Sequence, residues 1–216
     1  MLDEVRKDVY QALMGLPESG LVMGTSGNVS GKKGDRVVIK PSGVAYEELS
    51  PSNLVVVDLS GNVVEGELKP SVDTPAHLHI YNSTENLGGI VHTHSTYATA
   101  FAAMGRDIPL YLTEQGDLFG TGIPVSDYVP PGDEAIGVEF SEKAAGGKVK
   151  AILMSQHGVF TAGPAPSDAL KAAITVEHAA HVSYVAESGG EPDELPAGEG
   201  KKLYDKYMKD YGQGSK

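Results

Sequence analysis

The spacing of apolar residues in the first part of the chain predicts one helix followed by short strands. Between Leu2 and Leu16 apolar residues recur every three or four positions with charged residues between them, as in an amphipathic helix. Residues 24–35 are rich in Gly, Ser and Asn, and we interpret them as a loop. β-Branched runs at 36–40 and 54–58 predict strands. Turn residues at 60–62 then predict a hairpin, so this half should contain antiparallel pairs.

The second part of the chain alternates between helical and extended patterns. Asp73 and Pro75 are typical of a helix start, so a helix should begin near position 74. Further helices are predicted at 95–105, 133–145 and 166–188, and strands at 88–94, 122–129 and 150–155. Together the two halves predict an α/β fold with a central mixed, largely antiparallel β-sheet and helices on both faces.

Length and composition indicate one domain. A chain of 216 residues with 40% hydrophobic content can bury one complete core, so we expect residues 1–216 to form a single domain. Residues 189–200 are polar, acidic and rich in Pro and Gly, which is the composition of a linker. This linker should lead into a C-terminal tail at 201–216.

Net charge narrows the choice of partners. The formal charge of -12 argues against nucleic acid, because a phosphate backbone requires a basic surface. A small anionic substrate is still compatible, since backbone N–H groups and one lysine can form a local positive pocket. The absence of cysteine excludes disulfides and thiolate chemistry. No apolar run is long enough for a signal peptide or a membrane span, so we expect no membrane partner and a cytoplasmic location.

Three histidines form a candidate metal site. His92 and His94 lie two positions apart on a predicted strand, so both side chains should point to the same face. His157 follows the strand at 150–155, where a strand end can deliver a side chain into a cleft. Three imidazoles suit zinc or a similar divalent ion and leave a coordination position open for substrate.

Histidines in such a pattern need not bind a metal. A His-x-His pair on a strand is common and does not specify a third ligand. Four further histidines lie on predicted helices, where a hydrogen-bonded or surface histidine is the more common outcome. These are His77, His79, His178 and His181.

Several long motifs follow one another in order along nearly the whole chain. They lie at residues 24–30, 40–49, 63–81, 88–102, 117–125, 155–160 and 211–213. These motifs resemble the class II aldolase/adducin-like family, and most closely its L-ribulose-5-phosphate 4-epimerase members. The resemblance implies a class II aldolase-like fold and a homotetramer with active sites at subunit interfaces. It also implies one divalent metal per subunit, most commonly Zn²⁺, with Mn²⁺ or Co²⁺ as alternatives.

The resemblance also assigns roles to individual residues. The metal ligands would be Asp73, His92, His94 and His157. The residues that bind the substrate phosphate would be Gly27, Asn28, Ser42, Gly43 and Ser71, and Lys40 would add positive charge nearby. The catalytic acid and base would be Asp117 and Tyr211, with the tail carrying Tyr211 to a neighbouring subunit.

Two departures from the epimerase pattern concern substrate choice. Val72 stands where the family has the second of two paired serines, which removes one hydroxyl from the phosphate site. Gln115 and Gly116 stand where the epimerase has His and Ala before its catalytic acid.

The expected activity is epimerisation of a phosphorylated sugar. The enzyme would interconvert L-ribulose 5-phosphate and D-xylulose 5-phosphate by breaking the C3–C4 bond and re-forming it on the other face of the aldehyde. The alternative is a class II aldolase acting on a sugar 1-phosphate of the fuculose type, although such aldolases typically have Glu at the position of Asp73. A second alternative is a non-catalytic, adducin-like binding module, against which the three retained histidines argue.

Overall fold

A single antiparallel sheet forms the centre of the computed structural model, which describes residues 2–210. The sheet has seven strands within those residues, and each is hydrogen-bonded only in antiparallel ladders, in the order β4-β3-β2-β1-β5-β7-β6. The strands are β1 (Asn28–Lys33), β2 (Arg36–Ile39), β3 (Val55–Asp58), β4 (Val63–Glu65), β5 (Gly89–Thr93), β6 (Lys150–Met154) and β7 (Gly158–Gly163).

Helices connect the strands and cover the sheet. Within residues 2–210 the α-helices are α1 (Leu2–Glu18), α2 (Thr74–Ser83), α3 (Thr96–Ala103), α4 (Thr113–Phe119), α5 (Ala135–Lys143), α6 (Pro166–Gly189) and α7 (Glu199–Asp210). Two short 3₁₀ helices, Tyr46–Glu48 and Pro51–Asn53, lie between β2 and β3. No helix in the described part of the chain is both long and apolar enough to cross a bilayer.

Alternation along the strands buries both faces of the sheet. Val37 and Val57 pack with α2 and α5 on one face. Val38 and Val56 pack with α1 and α6 on the other. Because each fully buried valine contributes roughly 1.5–3 kcal/mol, these runs fix the register of the central strands. The expected α/β domain with helices on both faces is therefore confirmed.

Two element predictions were wrong. The predicted loop at 24–35 contains the central strand β1, which has few β-branched residues. Its Gly31 lies directly under α1, where an added Cβ would come within 2.7 Å of Val9 Cγ2, so close helix packing replaces side-chain burial there. The predicted strand at 122–129 makes only isolated bridges, because Pro124 has no N–H to donate to a ladder.

Three elements of the structure were not predicted from the sequence, namely strand β7 and helices α4 and α7. Helix α7 begins inside the predicted linker at 189–200 and packs on α4. The contact is tight because an added Cβ on Gly116 would lie 2.9 Å from Leu203 Cδ1. Gly116, one of the two departures on α4, therefore permits the close packing of α7.

Candidate metal centre and its cavity

The sheet brings the three predicted metal-binding histidines together at one end. His92 is in the central strand β5, His94 follows the end of that strand, and His157 lies in the turn between β6 and β7. Strand β7 pairs with β5, with His92 opposite Phe160, so the turn is carried to the end of β5. One nitrogen from each ring lies within 4.8 Å of the others.

The turn that carries His157 has an unusual backbone. Gln156 adopts a left-handed conformation with φ of 57°, which costs a residue with a side chain about 1–2 kcal/mol. Its N–H donates to Ala102 O at 3.1 Å, which ties the turn to α3. An added Cβ on Gly158 would lie 2.4 Å from Thr93 O, so glycine allows the turn to approach β5 closely. The unfavourable backbone conformation of Gln156 therefore occurs in the turn that places the His157 imidazole beside the other two.

The hydrogen bonds of the histidines suit metal binding. His92 Nδ1 donates to Val159 O at 2.9 Å, which leaves Nε2 with a lone pair. His92 Nε2 is 2.9 Å from His94 Nε2, and buried His157 Nδ1 has no hydrogen-bond partner among residues 2–210. Burial lowers the pKa of all three rings below that of ordinary histidine. Neutral imidazoles are the form that binds zinc, so this donor set fits a divalent ion.

Asp73 lies beside the triad at the start of α2. Its carboxylate is buried, and Oδ2 is 3.9 Å from His92 Nε2. The same oxygen accepts a hydrogen bond from Asn28 Nδ2 at 2.8 Å. Asn28 and His92 are register partners on β1 and β5. The carboxylate is therefore close enough to influence a bound ion, and Asn28 fixes one of its oxygens.

A cavity of about 280 Å³ joins the histidines to all five predicted phosphate-binding residues. Its lining comes from five separate stretches of the chain and from Pro131. The lining residues are Thr25, Ser26, Gly27, Asn28, Lys40, Pro41, Ser42, Gly43, Ser71, Val72, Asp73, His92, His94, Pro131 and His157. Sequence reasoning missed Thr25, Ser26, Pro41 and Pro131, although Ser26 and Pro41 adjoin residues that it assigned.

Part of the cavity lining suits an anion. Gly27 and Gly43 line the cavity and have φ of 74° and 70°, conformations that favour glycine and occur in turns whose backbone N–H groups bind anions. Lys40 is buried, and its Nζ donates to Thr25 O at 3.1 Å. It forms no ion pair with an acid among residues 2–210, and burial lowers the pKa of the ammonium. An anion in this cavity would therefore meet a cation that lacks a neighbouring acid.

The predicted catalytic residue Asp117 does not line this cavity within one chain. Asp117 lies on α4 and lines a separate groove with Thr113, Leu203 and Tyr207. Gln115, the other departure near it, is fully buried. Tyr211 lies outside the described residues. The acid–base roles of Asp117 and Tyr211 stay predictions.

Three of the four histidines without an assigned role differ in their surroundings. His79 pairs with Glu134, and the exposed His178 lies 3.9 Å from Glu114. His77 is instead fully buried, one helical turn after Asp73, and its Nε2 has no partner among residues 2–210. Burial lowers the pKa of His77 to about 3. The four-residue spacing from Asp73 could have indicated this position, because it places both side chains on one helix face.

Comparison with known proteins gives consistent matches over most of the chain. Residues 7–184 match the family model described as "Class II Aldolase and Adducin N-terminal domain". The structure is similar to an L-fuculose 1-phosphate aldolase, with a TM-score of 0.88 and 29% identity, covering 95% of this chain and 96% of that one.

Two further solved structures extend this similarity. One is YgbL from Escherichia coli, titled a putative aldolase/epimerase/decarboxylase, with a TM-score of 0.82, 25% identity and coverage of 94% of this chain and 98% of that one. The other is the L-fuculose-1-phosphate aldolase from Thermus thermophilus, with a TM-score of 0.72, 26% identity and coverage of 88% and 98%.

Proposed function

Because this chain belongs to the family of the class II aldolase and adducin N-terminal domain, we propose that it is a metal-dependent enzyme that breaks a carbon–carbon bond in a phosphorylated sugar. The observation that carries this proposal is the shared cavity. Its lining combines three convergent imidazole nitrogens with glycine turns and a buried lysine. A sugar phosphate has matching groups, namely carbonyl and hydroxyl oxygens and a phosphate.

His92, His94 and His157 would hold the divalent ion, most simply Zn²⁺, with the carboxylate of Asp73 beside it. When bound, such an ion polarises a carbonyl and stabilises the negative charge that develops as a neighbouring bond breaks. Within the chain, Asn28 holds Asp73 by a hydrogen bond of 2.8 Å and so limits its rotation. A fixed carboxylate costs less reorganisation during the reaction.

The phosphate end of the cavity would keep the substrate oriented. The N–H groups around Gly27, Ser42 and Gly43, with the hydroxyl of Ser71, would donate to phosphate oxygens. Lys40 would supply the counter-charge. Val72 adds no hydroxyl, so backbone donors carry more of the contact. Holding the phosphate reduces the freedom of the reacting fragment and raises the rate of any step that requires alignment.

Proton transfer would require a second subunit. Asp117 does not line the cavity of its own chain, so an acid–base role would place it at the site of a neighbour. We propose a homotetramer in which Asp117 and Tyr211 complete the active site of an adjacent protomer as acid and base.

Release of both fragments would make the enzyme an aldolase. The similarity to an L-fuculose 1-phosphate aldolase over nearly the full length of both chains favours this outcome. Cleavage of a 6-deoxyketose 1-phosphate between C3 and C4 gives dihydroxyacetone phosphate and lactaldehyde.

Re-addition before release would make the enzyme an epimerase acting on L-ribulose 5-phosphate. The residue that favours this outcome is Asp73, which is one methylene shorter than the Glu typical of the aldolases. A shorter carboxylate held by Asn28 leaves more room beside the triad for the aldehyde fragment to rotate. The two activities share the metal, the phosphate contacts and the first bond cleavage.

One experiment tests the shared reaction and separates the two outcomes. The zinc-loaded protein is incubated with L-ribulose 5-phosphate and, separately, with L-fuculose 1-phosphate, and products are followed by NMR. D-xylulose 5-phosphate identifies an epimerase, and dihydroxyacetone phosphate with lactaldehyde identifies an aldolase. The His94→Ala protein serves as the matched inactive control. Failure to convert either sugar, with zinc bound stoichiometrically, would refute the proposal for these substrates.

A further inference from the structure

Polar side chains join strand β1 to helix α2 at regular intervals. On the strand, they occupy every second position, which places them on one face of the sheet. On the helix, they occupy every fourth position, which places them on one face of the helix. The strand residues are Asn28, Ser30 and Lys32, and the helix-side residues are Asp73, His77 and Tyr81.

Two of these contacts are buried and short. Asn28 Nδ2 donates to Asp73 Oδ2 at 2.8 Å. Ser30 Oγ lies 2.7 Å from His77 Nδ1 and 2.9 Å from the hydroxyl of Tyr81. Ser30 and His77 are fully buried, and Tyr81 is nearly so. A buried polar group that loses its partner is costly, so these contacts resist sliding of the helix along the strand.

The third contact lies nearer the surface. Lys32 Nζ donates to Tyr81 O at 3.3 Å and lies 5.1 Å from the centre of the Tyr81 ring. The series therefore extends from the metal centre at Asp73 to the far end of α2.

The repeat lengths of the two elements explain why the contacts stay aligned. Four helical residues rise about 6.0 Å along the axis. Two strand residues advance about 6.6 Å. The small difference lets three successive contacts form along one direction. Displacement of the helix by one residue would misalign all of them.

The start of α2 depends on these contacts for its position. Asp73 is the residue before the first helical turn, and its own side chain makes no capping hydrogen bond. Its carboxylate instead faces Asn28 and the triad. Any shift of the helix along β1 therefore moves this carboxylate relative to His92.

We propose that Ser30 and His77 are positioning residues, which hold α2 in the register that places the Asp73 carboxylate against the three histidines. Neither residue lines the cavity, so both act through Asp73. This role rests on the proposed function only in that the triad holds a divalent ion. It assigns a purpose to His77, whose Nδ1 contact with Ser30 sets the axial position of the helix one turn beyond Asp73.

A double-mutant cycle on zinc affinity tests this role. Affinity is measured by competition with a chromophoric chelator for wild type, Ser30→Ala, Asp73→Asn and the double variant. Ser30→Ala is expected to weaken zinc binding about 10- to 100-fold, as loss of a residue that orients a ligand does. In the Asp73→Asn background the same change should alter affinity no more than about twofold, because the carboxylate that it positions is gone. An undiminished effect in that background would overturn the proposal.

Thr161→Val is the matched control. It removes a buried hydrogen bond from Thr161 Oγ1 to Ala169 O at 2.8 Å, on the opposite face of the sheet from the β1–α2 contacts, and keeps the side-chain shape. Its zinc affinity should equal that of wild type. A loss as large as that of Ser30→Ala would show general loosening of the fold and would refute a positioning role. If Ser30→Ala does not fold, Tyr81→Phe takes its place in the cycle, with the same required coupling to Asp73.

Kinetics give a second readout that a purely structural role would not produce. Ser30→Ala should lower kcat at saturating zinc and leave KM for the phosphorylated sugar within about twofold, because the phosphate contacts are untouched. An equal rise in KM would contradict the proposal. If wild-type protein binds zinc and converts neither sugar, the proposed function fails, whereas the affinity cycle still decides whether the Ser30 contacts position Asp73.

Discussion

Replacing Gly27 with alanine should damage the protein in two separable ways. Gly27 has φ of 74°, a conformation that costs alanine about 1–2 kcal/mol. The new Cβ would also lie 2.5 Å from Val22 Cγ1 and 3.0 Å from His92 O. Overpacking of this kind costs about 1–3 kcal/mol. The free energy of unfolding should therefore fall by roughly 2–5 kcal/mol.

Gly34→Ala isolates the backbone part of this cost. Gly34 has φ of 60°, and an added Cβ would meet nothing within 4 Å, so only the cost of the left-handed conformation, about 1–2 kcal/mol, applies. Urea unfolding of both variants gives the difference between their free energies of unfolding, provided that their m-values are equal. Gly27→Ala should also raise KM for the sugar phosphate, because the strained turn lies in the cavity, and Gly34→Ala should not. Equal destabilisation by the two substitutions would refute the steric argument.

Three further predictions follow from the site. His157→Ala should abolish stoichiometric zinc binding by chelator competition and leave the circular dichroism spectrum unchanged; full zinc occupancy would contradict its role as a ligand. Lys40→Met should raise KM for the sugar phosphate at least about tenfold, and an unchanged KM would contradict the phosphate role of Lys40. The same substitution should not lower Tm, because it removes a buried charge. His77 should reduce the stability of the metal-free protein as pH falls from about 6.5 towards 3, because the unfolded chain binds its proton first; His77→Gln should flatten this decline, and an unaltered slope in urea unfolding would contradict it.

The metal triad could be predicted from local sequence because strand geometry fixes its first two members. His92 and His94 are on the same side of an extended segment whatever the rest of the fold does. The place of His157 after a predicted strand made it a candidate third ligand, but only the family resemblance implied that it meets the other two. Its approach depends on the pairing of β7 with β5 and on a left-handed Gln156, neither of which leaves a hydrophobic pattern.

The errors in the fold have a common physical origin in tertiary packing. Strand β1 has a polar, glycine-containing sequence, yet it is central because β2 and β5 satisfy its backbone and α1 crosses Gly31. Helix α7 has a highly charged sequence, and its contacts with Gly116 of α4 and with Gly120 stabilise it. Such contacts between distant segments override local propensity. Asp117 also lies in a groove separate from the cavity, because helix α4 carries it there, and its local sequence motif does not indicate this placement.

The wide separation of the ligands along the sequence has a consequence for folding kinetics. His92 and His157 come together only after β5 and β7 pair, and long-range pairing of this kind forms slowly. The complete histidine triad therefore exists in the native state and is absent from the unfolded chain. Zinc should therefore lower the unfolding rate of the protein and lengthen the lifetime of its native state, and it should leave the folding rate unchanged.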